Sequence, residues 1–189
     1  MRLIALSGPP CSGKSTLGAY LARDLSIPHL EMDSIRARIL PDAAHTRGDR
    51  QVAYRAMHLT ARTVIGLGFD CIVNASYSHR PDREELERIG VPVFLIECHV
   101  TPEVAVERSA RRRHAHPGFD LSEERIRELV AAFPFSGLGL SIDSREPIDA
   151  CLAAIKHYLA EANPVRAGDW SNAVSAAEPE PPVERLARQ

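Results

Sequence analysis

The stretch Gly8-Pro9-Pro10-Cys11-Ser12-Gly13-Lys14-Ser15, with Thr16 after it, decides the fold. It fits the pattern G-x-x-x-x-G-K-[ST], and the chemistry of phosphate needs each of those residue types. The glycines let the backbone wrap an anion and aim its N–H groups inward. Lys14 supplies a mobile cation for β- and γ-phosphates, and Ser15 offers a hydroxyl to Mg²⁺. The flanks agree with this reading. Leu3-Ile4-Ala5-Leu6 ahead of the loop reads as a short buried strand. Leu17, Leu21 and Leu25 behind it recur every four residues, as on one face of a helix. A strand, a glycine-rich turn and a helix N-terminus together make a site for nucleotide phosphates.

Outward from the loop, strands and helices keep alternating. Pro28 to Met32 predicts a second short strand. Asp49 to about Gly66 predicts a helix with Val52, Ala56, Leu59 and Thr63 on its inner stripe, broken by Gly68. Cys71-Ile72-Val73 predicts a third strand, and a short helix runs from Pro81 through Leu86 and Ile89 to a stop at Gly90. VPVFLIEC over 91–98 is the clearest strand in the chain. Thr101-Pro102-Glu103 then carries a helix start: a cap, a proline at the first position and a carboxylate against the macrodipole. Ser122 caps a helix whose face is Ile126, Leu129, Val130 and Phe133. Leu140-Ser141-Ile142 is a weaker strand, and Ile148, Leu152, Ile155 and Leu159 mark the last helix. Such alternation implies an α/β fold with a parallel sheet covered on both faces. From Asn163 the pattern dissolves, so residues 1–162 read as one domain and 163–189 as a flexible Pro/Glu/Ala-rich tail.

Composition narrows the class. A chain of 189 residues holds one domain and its core. Its 23 Lys and Arg against 25 Asp and Glu argue against a strongly basic nucleic-acid binder, though not against a local basic patch. No apolar run approaches the roughly 18 residues that span a bilayer. The N-terminal apolar run is too short for a secretory leader. Cys11, Cys71, Cys98 and Cys151 form no C-x-x-C pair, so zinc and iron–sulfur sites are not expected. Reduced thiols and a cytoplasmic setting are. There is no guanine-reading N-K-x-D, and little room for the added domains of a motor. A small kinase remains.

Two further constellations carry chemistry. Asp33 follows the second strand, at the sheet edge that borders the ligand crevice in open α/β folds. A carboxylate there can take the proton of an attacking hydroxyl. The competing reading is a cap on the Ser34–Leu40 helix. Arg36 lies one turn on. The second constellation is Arg108, Arg111, Arg112 and Arg113, which share a helix after the fourth strand. Arg108 and Arg112, a turn apart, are the candidates to close over the triphosphate, with a lid around 108–120 that includes His114 and His116. Those two histidines do not by themselves make a metal site.

Taken together, GPPCSGKST (8–16), MDSIR (32–36), CIVNASYSHRPDREEL (71–86) and VFLIECHVTPEVAVERSARRR (93–113) resemble the P-loop kinase family labelled AAA_33. They are similar to chloramphenicol phosphotransferases and polynucleotide 5′-hydroxyl kinases, and more distantly to gluconate and shikimate kinases and zeta toxins. The resemblance covers about residues 1–160 and implies a P-loop NTPase fold with five parallel strands in the order 2-3-1-4-5. It implies ATP and Mg²⁺, Asp33 as general base, Arg36 at the acceptor, and Arg108 and Arg112 on ATP. It also implies that the loop around Asp143-Ser144-Arg145 lies by the adenine. One departure stands out: relatives often carry an acidic residue after the third strand, where this chain has Asn74. Magnesium would then lean on Ser15, ATP oxygens and waters, with Asp33 as a further candidate. Arg83 matches an arginine often seen at the start of the next helix.

The leading expectation is therefore an ATP-dependent kinase acting on a hydroxyl of a small molecule. Arg47, Arg50, Arg55, His58, Asn74, Tyr77 and Arg83 are candidate acceptor contacts. A polynucleotide 5′-hydroxyl kinase and a nucleotide-binding regulator with a protein partner are the alternatives.

Overall fold

The computed structural model describes residues 1–42, 46–115 and 121–173, and for 112–115 the backbone alone. Five strands make one parallel sheet: β1 (Leu3–Ser7), β2 (His29–Glu31), β3 (Cys71–Asn74), β4 (Val93–His99) and β5 (Leu140–Asp143), in the order β2-β3-β1-β4-β5. The order is the one the resemblance implies. Side chains of a strand alternate between faces, so β1 feeds both sides of the sheet. Leu3 and Ala5 point to one core, Ile4 and Leu6 to the other. The second core is closed by α1 (Lys14–Leu25) and α7 (Ile148–Glu161), through Leu17, Leu21, Leu152, Ile155 and Leu159. These are the stripes expected of both helices.

The first core is closed by α2 (Met32–Ile39), α3 (Arg47–Gly66), α4 (Arg80–Glu87) and the short α8 (Asp169–Asn172). Here α3 departs from expectation. Its buried residues are Ala53, Tyr54, Met57, His58, Ala61 and Ile65, while Val52 and Leu59 are exposed. The inner stripe is rotated by about one residue, because α3 turns two aromatic, hydroxyl-bearing or imidazole side chains toward the end of β3 rather than its most apolar ones. Helix α3 begins with a capping box in which the Thr46 side chain accepts from Asp49 N–H and Asp49 answers the Thr46 N–H. The helix pair α5 (Pro102–Ala115) and α6 (Glu123–Ala131) stands apart on its own small cluster, with Ser122 capping α6 as expected.

The expected tail divides. Its first residues belong to the fold: Val165 N–H bonds Val93 O at 2.8 Å, and Trp170 is fully buried in the first core. A single large aromatic did what no periodic pattern announced, since burying one such side chain is worth several smaller ones. Residues 174–189 lie outside the described residues. Among the described residues no helix is long and apolar enough to cross a membrane.

Candidate active site

The phosphate loop joins the carboxyl end of β1 to the first turn of α1. Gly8 has φ 153° and packs so closely that a Cβ would stand 2.6 Å from the Cys98 carbonyl oxygen. Gly13 takes φ 82° at the mouth of α1. No L side chain suits either backbone. Lys14 Nζ crosses the loop and donates to Gly8 O at 2.8 Å, Pro9 O at 2.7 Å and Ser12 Oγ at 3.2 Å. Ser12 and Pro9 are buried, Pro10 and Ser15 partly so, and Thr16 faces outward on α1. The loop start is tied to the neighbouring strand end: Gly8 N–H and Ser7 Oγ both donate to Ser76 O.

Ser15 leads to a residue that the sequence reading passed over. Its hydroxyl donates to the Glu31 carboxylate. Asn74 Nδ2 stands 3.3 Å from Ser15 Oγ and 3.4 Å from Glu31 Oε1. Ser34 Oγ donates to the other Glu31 oxygen at 2.6 Å. Glu31 and Asn74 are register partners on β2 and β3, so the parallel sheet itself delivers both side chains beside Ser15. The acid missing after β3 is thus supplied one strand over. Asp33 has another place: it lies in the first turn of α2, three-quarters exposed, 3.7 Å from Arg36 Nε. It does not cap α2, whose N-cap is Glu31. A carboxylate, a hydroxyl and an amide around one point are hard oxygen-bearing groups of the kind Mg²⁺ selects. A cavity of about 330 Å³ at the edge of β2, lined by His29, Leu30, Glu31, Ser34, Ile35 and Arg38, reaches the same carboxylate.

On the other flank, Arg108 of α5 bends over the loop. Its Nη1 donates to Cys11 O at 3.2 Å and Ser144 Oγ at 2.7 Å, and its Nη2 to Ser144 O at 2.6 Å. Arg108 and the loop after β5 therefore meet beside the phosphate loop. Arg145 instead folds onto Asp143, with Nη2 at 2.5 Å, and its hydrogen bonds hold the Asp143 carboxyl down at about 2. Arg111 pairs along its own helix with Glu107. The side chains of Arg112, Arg113 and His114, and all of His116, lie outside the described residues.

Several expected acceptor contacts are spent on the fold. Arg83 is fully buried: Nε donates to Tyr77 O at 2.7 Å, Nη2 to Pro134 O at 2.7 Å and Nη1 to Trp170 O at 3.3 Å. Its guanidinium lies over the Trp170 ring, and burial lowers its pKa to about 10, which leaves it charged. Tyr77 is likewise fully buried, with its hydroxyl 3.1 Å from His58 Nε2 and its N–H on Tyr54 Oη. Arg83 and Tyr77, expected at the acceptor, are instead held in the interior, with the polar groups of both on buried partners. His58, buried beside them, has its pKa lowered to about 4. Arg47 grips the buried Asp82 with two bonds at 2.8 and 3.0 Å, and Arg55 lies 3.8 Å from Glu85. Among the described residues no group of three or more His, Cys, Asp or Glu side chains gathers as a metal site.

Comparison with known proteins follows this geometry. Residues 3–135 match AAA_33, described as an AAA domain. Over 64 residues the chain is 39% identical to the cytidylate kinase of Methylocella silvestris, a stretch covering 32% of this chain and 30% of that protein. The chain therefore matches less than a third of that relative's length. A sugar kinase from Janibacter sp. superposes with TM-score 0.67 at 18% identity, over 93% of this chain and 99% of that one. A gluconokinase from Sinorhizobium meliloti superposes with TM-score 0.65 at 18% identity, over 85% and 92%. At such identities the likeness is one of fold, a P-loop kinase fold. Since the family match takes in the phosphate loop, Glu31, Asn74 and Arg108 and most of the chain, the protein belongs to the AAA_33 family.

Proposed function

We propose that this protein is an ATP-dependent phosphotransferase that moves the γ-phosphoryl group to a hydroxyl of a small-molecule acceptor. The observation that carries the reading is the cluster at the loop: Lys14 and Ser15 backed by Glu31 and Asn74, with Asp33 one short step along α2. Lys14 would turn its ammonium from the loop carbonyls to the β- and γ-phosphates. Arg108 would hold the nucleotide from the α5 side. Magnesium fits beside Ser15, with Glu31 as the carboxylate, and would neutralise phosphate charge. Asp33 is exposed and unburdened by burial, so it is free to turn toward an acceptor. It would accept the hydroxyl proton as the acceptor oxygen bonds to the γ-phosphorus and the bond to the ADP oxygen breaks.

The size of the acceptor follows from what α3 offers. Arg47 and Arg55 lie against Asp82 and Glu85, which supports a small acceptor over a polyanionic strand. The test is transfer from γ-labelled ATP with Mg²⁺ to a pooled metabolite extract and, in parallel, to 5′-hydroxyl oligonucleotides. Label should enter a small product. Label in the oligonucleotide, with affinity falling steeply as salt rises, would overturn the acceptor assignment. Lys14→Ala should abolish transfer. Asp33→Asn should lower turnover by about 10²-fold or more with ATP affinity kept, the size expected for a lost general base.

A further inference from the structure

Cys11 stands at the crown of the phosphate loop with φ 59°, in the left-handed region that glycine occupies without strain. The loop nevertheless keeps a side chain there and buries it, to 8% exposure. The neighbours of that side chain come from the helix pair after β4. One cluster joins Cys11 to Ala105 and Val106 of α5 and to Ile126 and Val130 of α6, with Val100 and Leu121 on its rim. At the same residue the carbonyl accepts from Arg108 of α5. An apolar contact and a hydrogen bond thus fasten the loop crown to α5–α6 at one point.

The base of the helix pair is fastened separately. The Glu97 carboxylate, fully buried, accepts from Ser136 N–H at 2.7 Å, Ser136 Oγ at 3.0 Å and Gly137 N–H at 2.9 Å. The His99 ring, where the chain leaves for α5, stacks at 3.7 Å on Phe135, where it returns from α6. Arg83 holds Pro134 O beside them. These groups fix where the pair is rooted in the sheet. Among the described residues, Cys11 and Arg108 join the loop crown to the helix pair.

We propose that Cys11 is a positioning residue that latches the α5–α6 pair onto the phosphate loop, so that loop and Arg108 meet ATP already assembled. This rests on the kinase reading for its kinetic readout, and on the packing alone for a second one. A cysteine that merely filled space at a positive φ could be replaced by glycine at a cost in packing but with the KM for ATP unchanged. A latch could not.

The experiment compares Cys11→Gly and Cys11→Ala with the wild-type full chain. Cys11→Gly should raise the KM for ATP about five- to tenfold with kcat changed less than about twofold, because ground-state assembly and not the chemical step is lost. Cys11→Ala, which keeps Cβ, should fall between. The melting temperature should barely move, as relief of strain offsets the lost contact. In nucleotide-free protein, amide exchange over α5 and α6 should quicken about tenfold in Cys11→Gly. Val106→Ala, which trims the same cluster from the α5 side, should by itself raise KM but add little to Cys11→Gly. An unchanged exchange rate overturns the latch whether or not any transfer is seen. A lowered melting temperature with KM unchanged overturns it too, reducing Cys11 to core packing. Quickened exchange in a protein that never binds ATP would sustain the latch and sink the kinase reading.

Discussion

The two flanks of the phosphate loop are built on different principles. On the nucleotide flank, backbone does most of the work: loop carbonyls take Lys14, Ser144 and the Cys11 carbonyl take Arg108, and the glycines fix the curve. On the side of α3 and α4, side chains hold side chains. Tyr54, His58, Tyr77, Arg83 and Trp170 interlock beneath the end of β3, and Ser76 passes their position to Gly8. A backbone motif is local in sequence. An interlocked set drawn from α3, α4 and α8 is not. The difference teaches where stability resides: the loop takes its curve from its own glycines and is tied down by Arg108 from α5, whereas the end of β3 is held by the core.

Arg83→Met is the hardest blow to that contrast. It removes a buried cation and leaves the carbonyls of Tyr77, Pro134 and Trp170 without their donor. Stability should fall by about 3–5 kcal/mol, the size of breaking a buried charged network. Urea unfolding measures it. Lys14→Ala, on the other flank, should remove transfer and shift stability by no more than about 0.5 kcal/mol, as for a residue outside the core. If Lys14→Ala unfolded the protein and Arg83→Met did not, the two flanks would have been assigned the wrong way round.

Acid tests the same core by another route. His58 is held at about 4, burial outweighing the Glu85 carboxylate 3.4 Å from its Nδ1. The ordinary value is 6.5, so between those values the unfolded chain binds the extra proton. The stability His58 protects is therefore complete above pH 6.5 and drains away as pH falls toward 4. By this linkage the loss amounts to at most about 3 kcal/mol. His58→Gln removes the titration and should flatten the stability–pH slope in that window. An unaltered slope would show that His58 is protonated without unfolding, paired with Glu85.

Glu31 stands on the border between the flanks, and Glu31→Gln sharpens the line between them. It keeps the shape and an oxygen for Ser15 and Asn74, makes Ser34 an acceptor instead of a donor, and removes the charge. The Mg²⁺ concentration for half-maximal activity should rise about 10- to 100-fold, as when a carboxylate around a metal is neutralised. Binding of ATP without metal should be unaffected. An unchanged Mg²⁺ requirement would return the metal to Asp33.

These outcomes trace how far the sequence could be read. The phosphate loop is legible because a local pattern whose physics allows few substitutes carries it, and the strand order is legible only through the family resemblance of the motifs. Glu31 was visible in sequence two residues before Asp33, but its role depends on the register of β2 with β3, which no periodicity reveals. Arg83 and Tyr77 are legible as residues with polar chemistry, but nothing local says that Trp170 lies about ninety residues on to bury them. The folded start of the supposed tail was hidden for the same reason.

The smallest effect belongs to α3, and it isolates the error in reading its stripe. Val52 and Leu59 repeat at a helical interval and look like a core face, yet both lie exposed while Met57, two residues before Leu59, is fully buried. Leu59→Ser should therefore change stability by no more than about 0.5 kcal/mol. Met57→Ala, which empties a packed position under the sheet, should cost about 2–5 kcal/mol. Equal effects would mean that the exposed stripe is covered in solution, and the concentration dependence of the melting temperature would then separate a second copy of the chain from a partner of another kind.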